Sequence, residues 1–170
     1  GLFCVSGMAQ EKKEGFEFTT VKANPVTSVK NQSRAGTCWC YSSLAFIESE
    51  LLRMGKGEYD LSEMFIVRQK YMNQLQDNYI RRGKGTLGQG SLSTAFKNAF
   101  NEVGIVPEEV YDGINYDSDK HNHREFNQYI QAIAAKIEAY TPSTCVLDFK
   151  DVSFVDSSGI AVVINALRSM

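Results

Sequence analysis

Apolar positions recur at two different spacings along the chain. Phe16-Glu17-Phe18-Thr19-Thr20-Val21 alternates and is rich in β-formers, which predicts extended chain. Pro25-Val26-Thr27-Ser28-Val29 continues extended, because Pro25 forbids a helix running through. From Cys38 the period becomes helical: Cys40, Leu44, Ile47 and Leu51 share one face, and Gly55 and Gly57 stop that helix. Leu61-Ser62-Glu63 opens a second helix with Ser62 as N-cap, and Ile66, Tyr71 and Leu75 supply its apolar surface. A basic, glycine-rich loop follows from Arg81 to Gly90, and then a third helix with Leu92, Phe96, Ala99, Phe100 and Val103 on its stripe and Gly104 at its end. Pro107 starts a short segment, and 117–125 is polar and carries both histidines, as solvated loop residues. Ile133, Ile137 and Tyr140 mark a helix that Pro142 ends. Val146-Leu147-Asp148-Phe149 is a strand, and a last helix begins near Ser158.

Composition narrows the classes. With 170 residues, 43% of them hydrophobic and 22% charged, the chain can bury a core of domain size. Disorder, collagen and coiled coil are excluded. Eighteen Lys+Arg against 20 Asp+Glu give a net charge of −2, which argues against a nucleic-acid or polybasic membrane partner. No uninterrupted apolar run approaches the roughly 20 residues a bilayer span needs. Four cysteines are too few for a disulfide scaffold of this size. The ends have a texture of their own. Residues 1–10, GLFCVSGMAQ, look like the remnant of a secretory signal, with Ser6-Gly7-Met8-Ala9 as its cleavage site; a short apolar strand is the alternative. Arg168-Ser169-Met170 follows an apolar helical pattern with no cap or stop, as in a chain cut rather than finished.

Gln32-Ser33-Arg34-Ala35-Gly36-Thr37-Cys38-Trp39 is the most informative stretch. A sulfur in the first turn of a helix feels the positive end of the helix dipole, which favours thiolate. Gly36 lets backbone approach closely, and the Gln32 amide can return to the same point. Its N–H and the Cys38 backbone N–H would form an oxyanion hole for acyl transfer. A lone Cys is more often structural, but Gln, Gly, Cys and Trp at this spacing outweigh that. The stretch resembles the active-site signature of papain-superfamily cysteine peptidases, most of all the bleomycin-hydrolase/aminopeptidase C type. Leu61-Ser62-Glu63, Gly88-Gln89-Gly90-Ser91-Leu92 and Gly104-Ile105-Val106-Pro107-Glu108 agree in order, so the resemblance covers about residues 16–130. It implies Cys38 as nucleophile, Gln32 as oxyanion donor, and Gln89 and Gly90 in a substrate-binding strand, with Gly90 offering backbone hydrogen bonds to an extended peptide. Ala35 stands where secreted papain relatives have a disulfide cysteine. No cofactor is implied. Relatives of that type form hexameric rings, so self-association joins peptide substrate among the implied partners.

Such an enzyme also needs a His and an Asn. The family places them roughly 130–150 residues after the Cys, on a β-rich half, at or past residue 170 here. Turnover by this chain alone is therefore expected to be small or nil. His121 and His123, the only histidines, lie in Asp117-Ser118-Asp119-Lys120-His121-Asn122-His123-Arg124, which lacks the apolar setting of a catalytic base. A metal site from Cys38, Cys40, His121 and His123 is a minor alternative, because C-x-C and H-x-H are poor partner spacings, and no metal site is expected.

Residues 146–160 resemble a different family, the STAS domain of anti-sigma factor antagonists. There a strand delivers Asp156-Ser157-Ser158-Gly159 to a helix N-terminus. That resemblance makes Ser158 a phosphoacceptor for an anti-sigma factor kinase, or else a Ser at 157 or 158 merely caps the helix. The expected class is α+β: residues 16–130 as the helical half of a papain-like fold, and 131–170 as a partial STAS-like strand–helix unit. The signal remnant points to export and the tail to cytoplasm. A fused reading frame is the simplest account of that conflict, with an inert hybrid as a further alternative.

Overall fold

The computed structural model describes residues 15–16, 18–114 and 118–140. Four helices carry the architecture: α1 (Cys38–Arg53), α2 (Glu63–Ile80), α3 (Ser93–Val103) and α4 (Arg124–Tyr140). Among the described residues no helix is long and apolar enough to cross a membrane. β structure among them amounts to two isolated bridges, Arg34 with Asn122 and Leu61 with Pro107. This agrees with the helical half of a papain-like fold; the strand–helix unit and Ser158 lie outside the described residues, as do residues 1–10.

Local sequence signals set the helix ends. The Ser62 hydroxyl accepts the Phe65 N–H at 3.1 Å, satisfying one of the free donors of the first turn of α2. That hydroxyl also donates to the Tyr111 carbonyl. α1 ends at Arg53, and Gly55 follows it at φ 68°, a conformation that costs glycine little.

α2 is the central element, packed against each of the other three helices. Its Met64, Ile66, Val67, Tyr71 and Leu75 join Trp39, Cys40 and Leu44 of α1, Phe96 and Ala99 of α3, and Ile130 and Ala134 of α4 in one core. Gln69 and Asn73 of α2 donate to Glu102 of α3 at 2.9 and 2.8 Å. On the other side the extended segment before α1 is pinned by a single cation. Lys30 Nζ lies 3.1 Å from Glu48, 2.6 Å from Asp60 and 3.0 Å from Glu63. Glu48 is itself fully buried and also accepts the Leu61 N–H at 2.8 Å.

The structure departs from the sequence expectations at several points. Phe16, Phe18 and Val21 are exposed and form no strand, so the alternation there finds no neighbouring chain among the described residues. On α3 only Phe96 and Ala99 are buried, the two positions turned to α1 and α2, while Phe100, Val103 and the preceding Leu92 are exposed. The loop at 81–90 is folded back rather than free. Asn78 donates to the Gly83 and Gly85 carbonyls at 3.1 and 2.9 Å, and Leu87 enters the core. Residue 130 lies inside α4, whose Ile130 and Ala134 enter the same core.

Candidate active site

The turn that leads into α1 begins at Gln32, whose carbonyl accepts the Ala35 N–H at 3.2 Å while Ser33 takes φ 53°. Two backbone hydrogen bonds strap this turn to the segment before α4: Arg34 N–H to the His121 carbonyl at 3.0 Å, and His123 N–H to the Arg34 carbonyl at 3.3 Å. Ala35 and Thr37 are buried between them, which leaves Gly36 and Cys38 exposed.

Cys38 is the first residue of a 16-residue helix and its thiol is exposed. The Cys38 N–H meets no acceptor among the described residues, as expected of a first-turn donor, and remains available to an incoming oxyanion. Gln32 is half-buried, and its side-chain oxygen is buried without a hydrogen-bond partner. The second thiol of the motif is of another kind. Cys40 is fully buried and donates to the Glu63 carbonyl at 3.4 Å; burial pushes its thiol far up, and the Glu63 carboxylate adds to this.

The second wall of the site is the 88–90 segment. Gln89 is taken up by the chain's own donors. Its side-chain oxygen accepts the Gly36 N–H at 2.6 Å, and its carbonyl accepts the Trp39 indole N–H at 3.0 Å. Gly36 is needed here for space, since a Cβ on it would lie 3.0 Å from the Gln89 Cβ. Lys70 of α2 donates to the Gly88 carbonyl and, at 3.3 Å, to that of Gln89. It is buried to 3% exposure above the Tyr71 ring, and burial lowers its pKa to about 8. Gln131 of α4 holds the Leu87 carbonyl at 2.7 Å. Gly90, by contrast, is exposed, and a Cβ there would meet open space.

Residues 13–166 match the sequence profile of the papain family of cysteine proteases. This chain belongs to that family. The family match continues past residue 130, through the stretch that resembles a STAS domain. Among similar proteins, a viral cathepsin of Autographa californica nuclear polyhedrosis virus is 31% identical over 112 residues, 66% of this chain and 30% of the relative. A viral cathepsin of Choristoneura fumiferana nuclear polyhedrosis virus is 31% identical over 99 residues, 58% of this chain and 27% of the relative. A probable cysteine protease of Arabidopsis thaliana, RD19C, is 26% identical over 152 residues, 89% of this chain and 39% of the relative. The chain thus spans about a quarter to two-fifths of the length of these papain-family relatives.

The histidines differ from expectation. They are not solvated: His121 is 7% and His123 4% exposed, each with a buried Nδ1 that has no hydrogen-bond partner. His123 packs edge-on against Tyr71 and Phe126, with ring centroids 6.3 and 6.1 Å away. Burial, then the neighbouring His121 and Lys70, lowers its pKa to about 4, and burial lowers His121 as well. Their neighbours Lys120, Asn122 and Arg124 are the exposed ones, so an alternation of inward and outward positions was present in the sequence but masked by its polarity. Among the described residues no group of three or more His, Cys, Asp or Glu side chains is placed to hold a metal ion. Sequence reasoning did not find Lys70, a charge on a helix that gives no sign of burial, nor the inward-facing chemistry of Gln89.

Proposed function

We propose that this chain carries the nucleophilic wall of a cysteine peptidase cleft, with Cys38 attacking the peptide carbonyl. The thiolate sulfur forms a bond to the carbonyl carbon, and the carbonyl π electrons move to oxygen. The Cys38 N–H and the Gln32 side-chain amide stabilise that oxyanion. Collapse breaks the C–N bond, and the amine leaves with the proton that a base took from the thiol. Water then releases the acyl group from sulfur. Gly90 presents its backbone to the extended substrate. Neither His121 nor His123 acts as the base, since both imidazoles are buried and burial weakens their hold on a proton.

The single observation that supports this is an exposed sulfur on the first residue of α1 with an unengaged N–H beside it, the partner cysteine of the motif being buried. The test is alkylation by iodoacetamide at pH 6, read by peptide mapping. Cys38 reacts much faster than Cys40 or Cys145, and equal rates would overturn the assignment. Peptide hydrolysis abolished by His121→Gln or His123→Gln in a folded chain would overturn the exclusion of those two side chains.

The finer type we take to be the aminopeptidase, bleomycin-hydrolase-like branch, on the strength of the motif's resemblance and of Ala35 in place of a disulfide cysteine. Preference for an aminoacyl reporter with a free α-amine over an N-blocked peptide supports this; the opposite preference refutes it. Residues 1–10 support export as the location.

A further inference from the structure

The 88–90 segment is joined to the nucleophile turn without any covalent link. Three donors converge on Gln89 from the start of α1 and from α2: the Gly36 N–H on its side-chain oxygen, and the Trp39 indole and the Lys70 ammonium on its carbonyl. Gly36 and Trp39 flank Cys38 in sequence at two residues before and one after. Lys70 is buried against the Gly88 and Gln89 carbonyls and the Trp39 and Tyr71 rings, an uncommon setting for a lysine, which is seldom buried without an opposite charge. The Gly36 bond, at 2.6 Å, spans 53 residues of sequence and ties this segment to the backbone just ahead of α1.

We propose that Gln89 is a positioning residue for Cys38, and that Lys70 is a positioning residue for Gln89. Together they form a polar clasp that fixes the first turn of α1 against the substrate-facing segment. This rests on Cys38 being the nucleophile. Gln89 touches no reacting atom; it acts by holding Gly36, and so the orientation of the free N–H donors and of the sulfur at the start of the helix. The clasp also fixes the spacing between the nucleophile and Gly90, one residue beyond Gln89.

Gln89→Met keeps the methylene packing and the backbone carbonyl but removes the acceptor for Gly36. Two measurements on the full chain read the effect: amide hydrogen exchange at Gly36, and the Cys38 alkylation rate. In Gln89→Met, exchange at Gly36 accelerates and Cys38 alkylation slows about three-fold, because the turn that carries the sulfur loses its tie to the 88–90 segment. Gln89→Glu, which retains an acceptor, keeps the Gly36 amide protected. If Gln89→Met does not fold by circular dichroism, Lys70→Met reads the same relation from the other end, with slower alkylation at pH 6. Fast wild-type alkylation that neither variant alters would overturn the clasp alone. Slow alkylation of wild-type Cys38 would overturn the nucleophile assignment and the clasp with it.

Discussion

Acidification from pH 7 to pH 5 destabilises this fold through His123. The side chain is 4% exposed, and its folded-state pKa is lowered to about 4, chiefly by burial. In the unfolded chain an imidazole titrates near 6.5, so between those values the unfolded state binds the extra proton. Stability from this group is therefore complete above about pH 6.5 and is lost as pH falls through about 4. Integrating over that window gives a loss of about 2 kcal/mol at pH 5 and about 3 kcal/mol once both states are protonated. Urea unfolding followed at the single tryptophan, Trp39, and at 222 nm measures it at pH 7, 6 and 5. With a slope of about 2 kcal/mol per molar urea, the wild-type midpoint drops by about 1 M more than that of His123→Leu over the same interval. Equal drops in the two proteins would refute the reasoning, because they would place the titrating groups elsewhere. Since His123 N–H is bonded to the Arg34 carbonyl, the same acid step loosens the turn ahead of Cys38, and Cys38 alkylation in acid should lose its selectivity over Cys40 as the fold opens.

Other perturbations test the packing and the buried charges. Lys30→Met leaves Glu48 and Glu63 buried without their cation and costs about 3–5 kcal/mol in urea unfolding; a loss under 1 kcal/mol would mean the cluster is solvated. Lys70→Met removes a lysine whose pKa is lowered to about 8. The unfolded chain holds that proton up to about 10.5, so wild-type stability from this group rises with pH, by about 2 kcal/mol between pH 7.5 and 9.5. The variant lacks that rise, and parallel curves would count against it. Leu44→Ala, at a fully buried position of α1, costs about 2–5 kcal/mol, measured by the same unfolding; a smaller loss would show that the core collapses around the cavity.

Helix starts and stops were legible because they depend on neighbouring residues. Ser62 announced α2, and Gly55 and Gly104 announced the ends of α1 and α3. The Cys38 motif was legible for the same reason, being contiguous. The carboxylates gathered on half-buried Lys30 and the burial of Lys70, His121 and His123 were not, because each charge or ring looks solvated until distant carboxylates, carbonyls or aromatic rings close around it. The α3 stripe was overread for the converse reason. Periodicity shows that a helix has an apolar side but not how much of it a neighbour covers, and here the cover stops at Phe96 and Ala99.

The ties around Cys38 also set an order of events in synthesis. The turn from Gln32 to Thr37 takes its shape from Gln89, His121 and His123, all made by the ribosome well after it. A nascent chain therefore displays the complete motif long before anything holds it in place. During that interval the helix end that bears Cys38 is unanchored, and the turn closes only when the later segments dock. A chain shortened ahead of residue 121 would carry every letter of the motif and lack the straps that give it form.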